Sequence, residues 1–179
     1  MKRADLEHII RAAADVAQDD EIVVIGGQAI LAEFPDAPAE LLASQEADIY
    51  PRNHPDRAIA IDGNLGDGSF FHEAFGYYAH GVGPETARAP AGWEERLVAI
   101  RVETGRGATV TGWCLEVHDL VLAKCAAGRG RDWEYAETAL SAGLVEPAEL
   151  LRRAPSLPLA PAQLDHVLRM LSAMTERLG

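Results

Sequence analysis

Two short stretches decide the fold: VVIGGQAIL, Val23 to Leu31, and EADIYP, Glu46 to Pro51. The first is an apolar, β-branched run that reaches Gly26-Gly27 and passes into QAIL. It reads as a strand, a tight turn and a short helix. The second reads as a strand broken by Pro51, and it poses a problem. Side chains alternate along a strand, so Glu46 and Asp48 point to the same face. Two carboxylates side by side repel, and strands are depleted in Asp. A divalent cation resolves that repulsion, since Mg²⁺ is commonly held by one or two carboxylates together with substrate phosphates. The alternative is an edge strand with an acidic solvent face. Gly26-Gly27 has two readings as well. Glycines ahead of a helix let backbone approach a phosphate, where N–H groups and the helix dipole favour an anion. Otherwise they make an ordinary turn.

Outward from these stretches, residues 3–18 predict an amphipathic helix with Leu6, Ile9, Ile10, Ala13 and Val16 on one stripe. HPDRAIAIDGNLG (54–66) predicts a helix and FGYYAHGVG (75–83) a strand. RLVAIRVET (96–104) and ATVTGWCLEV (108–117) predict an antiparallel pair around a GRG turn. Beyond residue 117 the pattern is helical: HDLVLAKCAAG with Asp119 as a cap near its start, RDWEYAETALSAG, EPAELLRRA, and LDHVLRMLSAMTERL after a Pro-punctuated stretch. The class is therefore α/β (α+β), a mixed sheet flanked by helices. Residues 1–116 form its core with an N-terminal helix, and residues 117–179 a helical part packed on that core in one compact unit.

Composition narrows the function. With 48% hydrophobic residues among 179 the chain can bury a normal core, and no apolar run approaches membrane-spanning length. Cys114 and Cys125 make no disulfide framework, so a reduced, cytosolic setting is the default. The net charge of −12 is uneven: residues 1–90 hold 16 acids against 6 bases, residues 91–179 hold 12 against 10. Such a chain does not grip nucleic acid by general electrostatics; contact would rest on local basic spots in the second half. There are 14 arginines but only two lysines, Lys2 and Lys124.

VVIGGQAIL followed by EADIYP resembles the nucleotidyltransferase superfamily of the DNA polymerase β type. Its pattern is an apolar strand, Gly-Gly or Gly-Ser, a helix, then a strand with two alternating acids. CLEVHDLVLAKCAAGRGRDWEYAETAL (114–140) and FHEAFGYYAHGVGPETARAPAGWEERL (71–97) are similar to uncharacterised bacterial nucleotidyltransferase-like proteins related to AbiEii-type toxins. The resemblance implies transfer of a nucleoside monophosphate from an NTP to a hydroxyl on an RNA end, a protein or a small molecule. It also implies a toxin–antitoxin role with an antitoxin partner. It implies that Gly26 and Gly27 line the triphosphate and that Glu46 and Asp48 hold Mg²⁺. Lys124 would contact phosphate, and Asp132 would orient it or take part in acid–base work.

The residues themselves leave alternatives. Lys124 shares a helical face with Leu120 and Val121, so its stem packs and its ammonium is directed, toward either a carboxylate or a phosphate. Asp132 at a helix start is also an ordinary cap. Arg129 and Arg131 neutralise phosphate or are solvated turn residues. Two departures from the superfamily matter. Glu46 stands where Asp is usual, and the segment where a third carboxylate belongs, GYYAHGVG, carries His80. Glu85 and Glu95 are nearby without matching spacing. The alternative function is thus a catalytically degenerate nucleotide-binding or partner-binding module. Three weaker constellations remain. Cys114, His118 and Cys125 lack standard zinc spacing and a fourth ligand. His72, Glu73 and His80 line a base pocket or belong to aromatic packing. Leu164, Val167, Leu168, Leu171 and Met174 stripe the last helix as core or as a dimer interface.

Overall fold

The computed structural model describes residues 1–105 and 107–178. Five strands, β1 (Glu21–Val24), β2 (Glu46–Pro51), β3 (Tyr78–Gly81), β4 (Val98–Glu103) and β5 (Thr109–Cys114), form one mixed sheet in the order β3-β2-β1-β5-β4. β1 runs antiparallel to β2 and parallel to β5; β2 and β3 are parallel, β4 and β5 antiparallel. The apolar run of β1 follows from its central place. Ile22, Val23, Val24 and the following Ile25 are all buried, as expected for a strand covered on both faces.

Helix α1 (Arg3–Ala17) lays Leu6, Ile9, Ile10 and Ala13 into the core, joined by Ala14 and Ala17, while Val16 stays half-buried. It sits so close to β5 that a Cβ on Gly112 would collide with the Ile10 side chain. Helix α2 (Ala58–Leu65) packs on the β3 edge, where a Cβ on Gly81 would strike the Ala58 carbonyl. Helix α3 (Phe70–Phe75) was not expected from the pattern, because FFHEAF is too short and too uniformly aromatic to show a helical period. Ser69 starts it by accepting a hydrogen bond from the His72 N–H at 3.1 Å. The QAIL segment forms a 3₁₀ helix, Gly27–Ala32, rather than an α-helix. The antiparallel pair forms as expected; Arg106, at the centre of the expected GRG turn, lies outside the described residues.

The second half is helical: α4 (Val117–Ala127), α5 (Gly130–Ser141), α6 (Pro147–Arg153) and α7 (Pro161–Leu178). α4 lies against the 3₁₀ helix on one side and against α5, α6 and α7 on the other. Along α7, Val167, Leu171 and Met174 are buried, with Leu164 and Leu168 packed beside them, so the stripe serves the core. The expected cap of α4 is replaced. Glu116 accepts from the Asp119 N–H, while the Asp119 side chain is fully buried between Arg96 (2.7 Å) and Arg153 (2.9 Å). No helix among the described residues is long and apolar enough to cross a membrane.

Candidate functional site

β2 and β3 together answer the problem posed by Glu46 and Asp48. In their register Glu46 faces Tyr78 and Asp48 faces His80. The Tyr78 hydroxyl donates to Glu46 Oε2 at 2.8 Å, and His80 Nδ1 lies 3.1 Å from Asp48 Oδ1 and 3.7 Å from Glu46 Oε1. Each acid thus has a polar cross-strand partner on the same face. The relief is unequal. Burial and the neighbouring Glu46 charge push the Asp48 carboxyl above its ordinary value. Glu46 is held below its ordinary value although burial works against this: the Tyr78 hydroxyl, a hydrogen bond with Asp48, and the charges of His80 and Arg131 outweigh it. Tyr78 is pushed up to about 12, chiefly because losing its proton would break the bond to Glu46.

Glu46, Asp48 and His80 offer ligand atoms within 4.8 Å of one another, the one such group among the described residues. His80 therefore stands where the sequence lacks a third carboxylate; Glu85 and Glu95 do not join it. Cys114, His118 and Cys125 form no site. Burial pushes both thiols up to about 12, away from the thiolate a metal needs, and His118 is engaged by Glu116 and the Glu146 N–H. His72 pairs with Asp67 and packs on the Tyr78 ring, outside the cleft.

The turn after β1 meets β2 side-on. The Ile25 N–H bonds to the Asp48 carbonyl at 3.0 Å, and a Cβ on Gly26 would collide with the Asp48 carboxylate. Gly26 is thus required by the acid beside it, and not by an unusual backbone angle. Gly27 differs: a Cβ there would touch Lys124 Nζ at an ordinary 3.5 Å. Lys124 reaches over from α4. Its ammonium lies 3.6 Å from Asp132 Oδ1 and 5.4 Å above the Tyr135 ring, and Tyr135 donates to the Gly27 carbonyl at 3.0 Å. Burial pushes the Tyr135 hydroxyl far up, so it remains a donor.

Asp132 is both cap and counter-ion. Its side chain is 1% exposed, accepts from the Arg129 backbone N–H, and pairs with Arg129 Nε at 2.7 Å. Arg129 is otherwise open, with 56% of its side chain exposed. A cleft of about 710 Å³ brings together Gly27, Glu46, Asp48, Lys124, Arg129 and Asp132; Gly26 lines an adjoining cavity of about 360 Å³. Sequence reasoning missed Tyr135 and Gln28 in the larger cavity and Arg88 in the smaller. Gln28 directly follows the glycine pair on the 3₁₀ helix; Tyr135 and Arg88 carry no local signal and are brought in by the packing of α5 and of the loop after β3.

No curated protein and no solved structure matches the chain. Residues 4–151, most of its length, match a family described as a nucleotidyltransferase of unknown function (DUF6036), and to that family the chain belongs.

Proposed function

We propose that the protein transfers a nucleoside monophosphate from a nucleoside triphosphate to a hydroxyl, with magnesium at Glu46 and Asp48. The observation that carries this reading is the convergence of two carboxylates, an imidazole, a glycine turn and a lysine on one cleft. The residues fit a divalent cation. Ligand oxygens of Glu46 and Asp48 lie within 4.8 Å of each other, and burial together with the neighbouring Glu46 charge holds Asp48 up, a cost that a bound cation removes. When bound, the ion supplies positive charge to the triphosphate oxygens.

The chain's own groups do the rest. The Gly26–Gly27 turn brings backbone close to the phosphates. Lys124, oriented by Asp132 and Tyr135, neutralises phosphate charge, and Arg129 adds to it. Asp132, enclosed by Lys124 and Arg129, orients these cations; its burial leaves it no access to a reacting proton. His80 takes the role that the superfamily resemblance gives to a third carboxylate, accepting the proton of the attacking hydroxyl. Positioned proton transfer of this kind is worth about 10²–10⁴ in rate. His80→Ala is therefore expected to lose activity on that scale, and His80→Asp to recover a substantial part of it. The resemblance to AbiEii-type toxins extends the reading to a toxin–antitoxin component, which gene neighbours would test.

The central experiment incubates the protein with each radiolabelled NTP, Mg²⁺ and a set of hydroxyl acceptors that includes total tRNA. Label transfer or pyrophosphate release in wild type, absent in Asp48→Ala, is the expected result. A nucleotide-dependent melting shift without product would favour a binding module of the same fold. No shift with any NTP at millimolar Mg²⁺ would overturn both.

A further inference from the structure

Transfer to a hydroxyl needs one that reaches the α-phosphorus beside the candidate metal carboxylates, and the chain itself brings few hydroxyls there. Among the described residues, Ser44, Thr86, Tyr135 and Thr138 line the larger cavity and Thr86 alone the smaller. All but Thr86 are committed. Ser44 Oγ accepts from the Glu46 N–H at 3.0 Å and donates to the Glu46 carbonyl at 3.3 Å. Thr138 Oγ1 donates to the Glu134 carbonyl at 2.9 Å, one turn back on α5. Tyr135 donates to the Gly27 carbonyl at 3.0 Å, and burial holds its proton in place. Thr86 is exposed. Its backbone N–H bonds to the Gly83 carbonyl at 3.0 Å, while its hydroxyl makes no hydrogen bond among the described residues.

The fold also sets Thr86 where the parts that the reaction needs meet. The two cavities share a wall of Asp48, Thr86, Lys124 and Arg129, so the free hydroxyl stands beside a candidate metal ligand and two cations. Arg88, two residues on, adds a third cation to the smaller cavity. His80, at the other end of the same connection, lines the larger cavity together with Thr86. From β3 the chain turns through the 3₁₀ segment Pro84–Thr86. It is pinned again where Ala89 is buried and the Ala91 N–H bonds to the Ser156 carbonyl at 3.2 Å. A short tether between two fixed points keeps Thr86 at the cleft. An intramolecular hydroxyl held in this way outcompetes one arriving from solution.

We propose that Thr86 is a self-modification site, to which the chain transfers a nucleoside monophosphate from a nucleoside triphosphate. This acceptor deepens the nucleotidyl-transfer reading and rests on it. Thr86 Oγ1 bonds to the α-phosphorus, the bond from that phosphorus to the bridging oxygen breaks, and pyrophosphate leaves. The hydroxyl proton passes to His80 and on to solvent. A threonine hydroxyl is a weak nucleophile unaided, so this step needs the same base and the same cations as transfer to any outside hydroxyl. The product is a phosphodiester carrying one negative charge, and Arg88, Lys124 and Arg129 line the cavity beside it.

Intact mass and peptide mapping of the full chain test this, after incubation with each NTP and Mg²⁺, with and without total tRNA as an outside acceptor. Wild type is expected to gain the mass of a single nucleotidyl group, mapped to Thr86, at a rate independent of protein concentration. Thr86→Ser should gain the same group at the same position. Thr86→Val keeps the side-chain shape at an exposed position, so it should hold the melting temperature and gain no mass. Asp48→Ala should gain none either. An adduct on Ser44, Thr138 or any other residue in place of Thr86 would overturn the proposal, as would a rate proportional to protein concentration. So would pyrophosphate release, or label transfer to tRNA, by a wild-type chain that gains no mass. No adduct, no label transfer and no pyrophosphate release with any NTP would overturn the nucleotidyl-transfer reading itself, and the acceptor with it.

Discussion

Asp48 and Asp119 are both acids drawn in from solvent, and their surroundings differ in kind. Asp119 is fully buried, and two guanidiniums meet it, Arg96 from the segment before β4 and Arg153 from α6. Arg153 also pairs with Glu116 and Glu149, so the cluster knits that segment, α4 and α6 together with its charge matched from within. Asp48 sits beside another carboxylate, with an imidazole as its nearest polar partner and no arginine or lysine in an ion pair with it among the described residues. One cluster is complete and works as a staple. The other is short of cation, which is the condition expected where an ion and a charged substrate arrive from outside.

The same conservative change at the two acids should break in opposite ways. Asp48→Asn is expected to cost activity by about 10³ or more, the scale on which charge stabilisation at a reacting centre operates. Its melting temperature should hold or rise, since repulsion with Glu46 is removed. Asp119→Asn should instead lower stability by about 3 kcal/mol, because two half-buried guanidiniums lose their fully buried counter-charge. For a chain of this size that is a fall of about 10 °C in calorimetry. If both substitutions destabilise alike, the contrast is wrong and Asp48 is structural.

Magnesium sharpens it further. At about tenfold over its dissociation constant the ion should stabilise wild type by about 1.4 kcal/mol, a rise of about 3–6 °C. Asp119→Asn should keep that increment and Asp48→Asn lose it, read by thermal shift against a magnesium-free, EDTA-treated control.

Acid titration gives an effect whose sign separates the clusters. Despite burial, which acts to raise it, Glu116 is pulled down to about 2 from 4.5 by His118 and Arg153. A depressed native value means a contribution present above the ordinary value and lost as pH falls from 4.5 toward about 2, worth about 3 kcal/mol at most. Asp48 runs the other way: raised in the fold, it favours the native state when protonated, and that contribution fades as pH rises. Urea denaturation below pH 4.5 should show a shallower acid slope for Glu116→Gln than for wild type.

Much of the sheet was legible because its strands carry local signals: the unbroken apolar run of β1, the alternation in β2, and the β4–β5 pair. α3 and the 3₁₀ form of Gly27–Ala32 were not, since segments of six residues are too short for a period to declare itself. Lys124 was legible as a directed charge. Whether it met a carboxylate or pointed into a cleft was not, and in the fold it does both.

By itself, then, the chain's order of residues determined the elements and the pairing of Glu46 with Asp48 on one face, because strand alternation is a property of consecutive residues. Only the tertiary structure decided what stood opposite them. Register between β2 and β3 put Tyr78 and His80 there, and helix packing brought Lys124 and Asp132 to the same cleft. Contacts between residues distant in sequence are set by how buried faces fit together, and no local pattern encodes that.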